Sequence, residues 1–268
     1  MSASDLSKLP RRIRGRLRRE GDRLRRELNL RGKRRKCYVC GATFNNFLPY
    51  RDAERSPFLR QLECVGSDVE NFYCPVCSCF DRERHLFMYF DALGLWDAAR
   101  GARVLHVAPE AKLAERIAAA GPAEYVRGNI APGPGQVRVD VTAIDFPDGH
   151  FDLVICNHVL EHVPDDGRAI AELYRVLKPG GRAVLQTPFS TVLARTFQDP
   201  GIDTDAKRLR FYGEADHVRV YGRDLFERLA SAGFSVAAER HSDLFPPEAA
   251  AYYGVNPAED LLLILKPA

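Results

Sequence analysis

The chain has 268 residues, 46% hydrophobic and 28% charged with a net charge of +3, a balance that suits one sizeable α/β domain with a smaller module beside it. No apolar run reaches the roughly 18 residues needed to cross a bilayer. The N-terminus lacks the apolar core and small-residue cleavage site of a secretory signal, so a cytoplasmic location is expected. Seven cysteines in such a chain point to metal or catalysis rather than to disulfides.

Residues 1–36 form a basic tail, with 15 Lys and Arg against four acids for a net +11, which leaves −8 on the rest of the chain. Leu6, Leu9, Ile13, Leu17, Leu24 and Leu28 recur at helical steps and mark one apolar face. Such a tail either packs its leucines on the body or meets RNA or an anionic membrane. Residues 37–80 read as a compact module bounded by Cys37-x2-Cys40 and Cys74-x2-Cys77. A two-residue gap lets both sulfurs of a pair turn toward one ion, and two pairs supply the four-thiolate tetrahedron that zinc prefers. Filling all four positions makes a closed, structural site. The 33-residue interval between the pairs is long, but loop closure costs grow slowly with length. Cys79 lies close enough to substitute for Cys77, while Cys64 and Cys156 read as spare or core thiols. A redox pair or ordinary buried thiols are the competing readings.

A connecting helix is expected over 81–95, within a linking segment 81–100, and the remaining domain spans 101–268. Strands are expected at 103–107, 124–127, 136–141, 151–156, 182–187, 234–239 and 260–265. Helices are expected at 110–120, 166–177 and 223–232, with stops such as Gly121-Pro122 and Lys178-Pro179-Gly180-Gly181. This alternation predicts a doubly wound, mostly parallel sheet with helices on both faces. Ligands bind such sheets at the carboxyl ends of the strands, where strand order reverses. The site loops are therefore expected at 106–110, 128–130, 140–142 and 156–162. The insertion 188–221 carries Phe189, Phe197, Phe211 and Tyr212 with several Arg and Lys. It reads either as a lid over a polar, ring-shaped acceptor or as a segment that merely packs its aromatics.

Three stretches carry a family resemblance. Residues 140–154 hold an acid at a strand end and a Phe-Pro-Asp-Gly-x-Phe-Asp turn; 159–163 read Val-Leu-Glu-His-Val; 172–181 read Glu-Leu-Tyr-Arg-Val-Leu-Lys-Pro-Gly-Gly. In order and spacing they resemble the class I methyltransferases, which use S-adenosylmethionine (SAM). The loop Leu105-His106-Val107-Ala108-Pro109-Glu110 and the Arg84-His85 pair are similar to those of a bacterial subgroup with a double-cysteine module in front. That resemblance implies a Rossmann-like, seven-stranded doubly wound α/β sheet with a small N-terminal zinc-binding module. It implies that His106, Ala108 and Glu110 line the methionine end and ribose of SAM. Asn129 occupies the place of the acid that usually holds the ribose hydroxyls. Asp140 is the implied acceptor for the adenine amino group, with the Val141 N–H facing a ring nitrogen. Asn157 and His158 end the fourth strand beside the sulfonium methyl. The usual Gly-x-Gly is absent from the first loop.

His158, Glu161 and His162 are spaced i, i+3, i+4, so one helical turn would place them on one face, and His217 supplies a fourth group from a later loop. The set resembles the Glu-x-x-Glu-His motif of plant small-RNA 2′-O-methyltransferases and quinone O-methyltransferases, with His158 in place of the first Glu. A second divalent metal at His158, Glu161, His162 and His217 is one reading. A metal-free base at His158 or His217 is another, and purely structural histidines are the third. The expected function is O-methylation of a sugar or specialised-metabolite hydroxyl, with N-methylation second. An RNA methyltransferase using the zinc module and basic arm, and a non-catalytic binding protein on a degenerate fold, are the alternatives.

Overall fold

Apolar residues that alternate between two faces build the centre of the computed structural model, which describes residues 23–24, 26–50 and 57–268. The central strands are Arg103–Val107 (β1), Glu124–Asn129 (β2), Val137–Arg138 (β3), Phe151–Cys156 (β4), Leu177–Val184 (β5), Ala238–Glu239 (β6) and Leu261–Leu265 (β7). They form one seven-stranded sheet in the order β6-β7-β5-β4-β1-β2-β3. Neighbours from β5 through β3 run parallel, and β7 is antiparallel to both of its neighbours.

Side chains of a strand point alternately to the two faces, and both faces here are covered. Leu105, Val107, Val154 and Cys156 pack on one side with Ile170, Leu173 and Val176 of the helix Asp166–Val176. Val104, Leu153 and Ile155 pack on the other with Leu113 and Ile117 of Ala111–Ala120 and Leu86, Tyr89 and Phe90 of Asp81–Ala92. Strand order reverses between β1 and β4, which pair His106 with Ile155 and Val107 with Cys156. The loops leaving those two strands, after Val107 and after Cys156, therefore flank the crevice where this topology binds ligands.

Several expected bounds shift. The strand expected at 136–141 is only Val137–Arg138, because Asp140 turns back to bridge Ala143. The strand expected at 182–187 begins at Leu177, and the one expected at 234–239 is reduced to Ala238–Glu239. The connecting helix ends at Ala92, ahead of Gly94 in the left-handed region at φ 64°. Of the tail's apolar stripe, Leu6, Leu9, Ile13 and Leu17 lie outside the described residues. Leu24 and Leu28 are 57% and 52% exposed, so these two do not pack on the body.

The cysteine module opens with a short hairpin pairing Arg35–Lys36 with Thr43–Phe44. It is tied to the rest of the chain by Arg84, which is fully buried. The Arg84 guanidinium donates to the carbonyls of Asn71, Phe72 and Cys79 in the module and of Tyr253 and Gly254 near the C-terminus. It also lies 4.0 Å from the Phe47 ring centroid. The insertion 188–221 meets the module as well: Cys64–Val65 pairs with Phe189–Ser190, and Phe58 packs against Phe197 and Phe211.

Candidate active site

The crevice begins at the β1 loop. Ala108 is exposed and takes a left-handed φ of 47°, a conformation that usually calls for glycine. Its N–H donates to Gly128 O at 2.8 Å, so backbone turns tightly there without the Gly-x-Gly pattern. Glu110 follows at the N-cap of Ala111–Ala120. Its carboxylate meets His106 Nε2 at 2.8 Å and accepts from Asn157 Nδ2 at 3.3 Å. Burial alone would raise this carboxyl, but the His106 hydrogen bond and charge outweigh it and hold it below its ordinary value. His106 itself is fully buried, with Nδ1 on the Tyr125 hydroxyl at 2.9 Å. It serves the crevice by holding Glu110 rather than by offering a surface of its own.

Asn129 ends β2 and Asp140 follows β3. Asn129 Oδ1 accepts from Ala131 N at 3.1 Å, which fixes the loop. Asp140 Oδ1 accepts from Thr142 N and Thr142 Oγ1 at 2.9 and 2.7 Å, and these bonds lower its pKa. Its second oxygen makes no hydrogen bond among the described residues. Val141 is buried beside it. At the end of β4, Asn157 also accepts from Gln186 N at 3.4 Å. The loops expected at 106–110, 128–130, 140–142 and 156–162 thus converge on one side of the sheet.

The expected single helical face for His158, Glu161 and His162 is not what forms. His158 has a left-handed φ of 51° and stands outside the short 3-10 turn Leu160–His162. The two histidines therefore diverge around Glu161. His158 Nδ1 lies 3.3 Å from Glu161 Oε1, and its Nε2 lies 3.7 Å from Glu259 Oε1. His162 instead turns to Asp216 at 3.2 Å and packs against the His217 ring at 4.7 Å. Arg219 brings His217 there: buried, it donates to the carbonyls of Leu160, Val163 and Pro164, while Val218 N donates to Glu161 O.

Charge follows from these placements. Burial and the Arg82 charge would lower the His158 pKa, but the flanking Glu161 and Glu259 carboxylates prevail and raise it. Burial would raise Glu161, yet its contact with His158 and the charges of His158, His217 and His162 bring it to about 2. His217 behaves in the opposite way. Burial lowers it, with Glu161 only partly opposing. Its Nδ1 is 3.1 Å from Tyr212 O, an acceptor, so Nδ1 carries the proton and Nε2 keeps the lone pair. Behind His158, Glu259 Oε2 lies 3.7 Å from His85 Nδ1, and His85 Nε2 lies 2.8 Å from His241 Nδ1. Burial and the neighbouring His85 lower His241 to about 4, so it stays neutral beside His85.

A cavity of about 440 Å³ opens onto His158, Glu161, His162 and His217. Its far wall comes from the module and helix start: Tyr50, Phe72, Tyr73 and Phe80, with the Arg82 side chain beside His158. Arg82 makes no hydrogen bond or ion pair among the described residues. None of the four insertion aromatics lines the cavity; Phe197, Phe211 and Tyr212 pack with Leu59 and Leu62, and Phe189 packs on the sheet core. The insertion lends Pro188, Gly213, Glu214 and His217 instead. Nothing in local spacing marked Arg82, Glu259, His85 or Tyr50 as site residues. Glu161, His162 and His217 offer ligand atoms within 4.8 Å of one another, and His158 is not in that group. A separate group joins Cys37, Cys74, Cys77 and Cys79, with Cys40 Sγ 3.9 Å from Cys74 Sγ.

Residues 92–185 match the model of a methyltransferase domain family. Among curated proteins, the chain is 47% identical over 66 residues to a ubiquinone/menaquinone biosynthesis C-methyltransferase of Psychromonas ingrahamii, covering 25% of this chain and 24% of that protein. It is 34% identical over 115 residues to a demethylmenaquinone methyltransferase of Streptomyces avermitilis, covering 38% and 50%. The chain thus spans between a quarter and a half of the length of these relatives. A SAM-dependent methyltransferase structure from Mesorhizobium loti is similar with a TM-score of 0.46 and 17% identity, covering 66% of this chain and 95% of that one.

Proposed function

Because this chain belongs to the class I methyltransferases through the domain at residues 92–185, we propose that it transfers a methyl group from SAM to a ring-bearing hydroxyl acceptor held in the aromatic-walled cavity. The observation that carries this reading is that His217 and His158 line one cavity, and that His158 follows β4, whose end flanks the crevice. SAM supplies a methyl on a sulfonium centre; the chain must bind it, align the acceptor and manage one proton.

The crevice groups fit that cofactor. Ala108 leaves backbone open, Asn129 and Asp140 suit ribose and adenine, and the Glu110 carboxylate suits the ammonium of the methionine end. On the acceptor side the two histidines divide the work. His217, neutral with its Nε2 lone pair available, takes the hydroxyl proton. His158, kept charged by Glu161 and Glu259, stabilises the oxyanion that develops. Glu161 is fixed in turn by the Thr187 hydroxyl, which donates to it at 2.9 Å. Tyr50, Phe72, Tyr73 and Phe80 offer ring faces and edges to a planar or ring-shaped acceptor, and Arg82 offers a charge to an anionic substituent. A phenol-type or sugar hydroxyl meets these demands, and a nitrogen acceptor would use the same base. The C-methylation named for the quinone relatives also needs a base at this place, so position-resolved product analysis separates the three outcomes. Incubation with methyl-labelled SAM and a panel of phenols, quinols, sugars, aromatic amines and bulk RNA tests the proposal. Label in a ring hydroxyl supports it; label only in RNA, or in no compound of any class, overturns it.

The pH dependence follows from the two opposite shifts. A lowered pKa keeps His217 in its basic form until the pH falls through that lowered value. A raised pKa keeps His158 charged until the pH rises through that raised value. Turnover should therefore show an acid limb below and an alkaline limb above the ordinary imidazole value of 6.5. NMR titration of the two imidazoles checks this without an acceptor: His217 titrating above His158 would contradict the division of roles.

A second reading rests on the grouping of Glu161, His162 and His217, which could hold a divalent ion that lowers the hydroxyl pKa. The His217 proton on Nδ1 leaves Nε2 for either role. Loss of turnover on chelation, restored by added divalent ion while the cysteine site stays loaded, would favour the metal over the free base.

A further inference from the structure

Arg82 is the one Lys or Arg among the described residues that line the cavity. It occupies the first turn of the helix Asp81–Ala92, where the positive end of the helix dipole favours acids and disfavours a cation. The acids on either side of it are engaged elsewhere. Asp81 accepts from the Asp68 N–H, and Glu83 accepts from the N–H groups of Phe80 and Lys112 at 3.3 and 2.8 Å. Arg82 is left half-buried, with neither a hydrogen bond nor an ion pair among the described residues. A guanidinium stays charged in proteins, so withdrawing it from water without a partner costs free energy that a bound anion offsets.

The surroundings narrow what that anion can be. Tyr50, Phe72, Tyr73 and Phe80 line the cavity with Arg82 and pack ring on ring. The Phe72 centroid lies 4.9 Å from Tyr50, 4.7 Å from Tyr73 and 5.2 Å from Phe80. Such a wall suits the face or edge of a flat arene. His158 is close enough for the Arg82 charge to oppose its protonation. The anion therefore belongs on the ring whose hydroxyl meets that imidazole. Glu161 and Glu214 line the same cavity, so a single guanidinium suits a carboxylate better than a phosphate monoester of about −1.5 to −2 charges. The two carboxylate oxygens also match the paired N–H groups of the guanidinium fork. The Arg82 charge reaches Glu110 as well, which makes the methionine carboxylate of SAM the competing ligand. Arg82 lines the cavity, however, and Glu110, Asn129 and Asp140 do not.

We propose that the acceptor is a hydroxyarene carboxylate, and that Arg82 binds its carboxylate while its hydroxyl meets His217 and His158. This names the substrate class of the function proposed above and rests on it. The ring lies against the Tyr50, Phe72 and Tyr73 wall, and the ion pair to Arg82 fixes which hydroxyl faces the cofactor. Arg82 thereby sets specificity and takes no part in proton transfer.

Calorimetry on the full chain saturated with S-adenosylhomocysteine tests this without any methyl transfer. The probes are the hydroxybenzoate isomers, the matched hydroxybenzamides, which keep the shape and lose the charge, and hydroxyphenyl phosphate. At least one hydroxybenzoate is expected to bind about 10- to 100-fold more tightly than its amide, the usual range for a charge-assisted contact. That comparison uses the unaltered chain, so it does not depend on how a variant folds. Arg82→Gln should abolish the difference, Arg82→Lys should restore part of it, and both should keep S-adenosylhomocysteine affinity. Amides that bind as tightly as the benzoates, or a preference that survives Arg82→Gln, overturn the proposal. No binding of any probe, or phosphate bound more tightly than carboxylate, overturns the substrate class. Arg82→Gln weakening S-adenosylhomocysteine as much as hydroxybenzoate gives Arg82 to the cofactor and overturns its role here. An unaltered chain that binds no S-adenosylhomocysteine overturns the methyltransferase reading first, and this inference with it.

Discussion

Replacing His217 with alanine should lower the methyl-transfer rate by about 10²–10⁴-fold, the usual contribution of a positioned general base. Cofactor affinity should stay the same, because His217 lines the cavity rather than the crevice around Glu110, Asn129 and Asp140. The size of the effect follows from how completely the chain prepares this side chain. Arg219 and the Val218 N–H pin the 217–221 segment to the turn that carries Glu161, and the Tyr212 carbonyl selects the tautomer. Single-turnover rates with methyl-labelled SAM measure the change. The companion variant His158→Gln should also slow the reaction, but it should remove the alkaline limb of the pH profile rather than the acid one. If the His217 variant loses nothing, neither His217 as a base nor a divalent ion held by Glu161, His162 and His217 carries the step, and another group takes the proton.

The second large effect is on the cofactor. Glu110→Gln keeps the shape of the side chain but removes the charge at the point where β1 meets its helix. His106 and Asn157 hold that carboxylate in the ionised form. A charge-assisted contact is worth about 1.5–3 kcal/mol, so SAM should bind roughly 10- to 100-fold more weakly. The neutral S-adenosylhomocysteine sulfur still leaves an ammonium on the amino-acid end, so its affinity should fall too. Calorimetry with both ligands measures the two losses. Equal affinity for variant and parent would place the methionine end elsewhere.

Much of the sheet could be read in advance because strand periodicity is local. The apolar run 151–156 needs no partner to be recognised, and its neighbours on either side of β1 follow from the βαβ rhythm. The bounds that moved are those set by pairing: β3 is short because Asp140 turns back on Ala143, and β6 because Ser235 bridges Leu265 without extending the ladder. The positions of Glu110, Asp140 and Asn157 just beyond strand ends were legible through their place in a motif.

The groups that set the charges at His158 were not. Glu259 lies about a hundred residues downstream of it, and Arg82 and His85 come from the helix that precedes the sheet. Spacing placed His158 and His162 on one helical face, but a left-handed His158 outside the turn meets Glu161 and Glu259, while His162 meets Asp216. The insertion shows the same limit. Its aromatics look like a lid in one dimension, yet Phe197 and Phe211 pack on Phe58, Leu59 and Leu62 of the module. The module in turn supplies the aromatics that face the cavity, Tyr50, Phe72 and Tyr73.

Titration calorimetry of the full chain with SAM tests the central claim most directly. One binding site per chain, in the micromolar range and weakened by Asp140→Ala, is the expected result. No detectable binding at millimolar SAM would contradict the account, and would leave a methyltransferase fold put to some use other than methyl transfer.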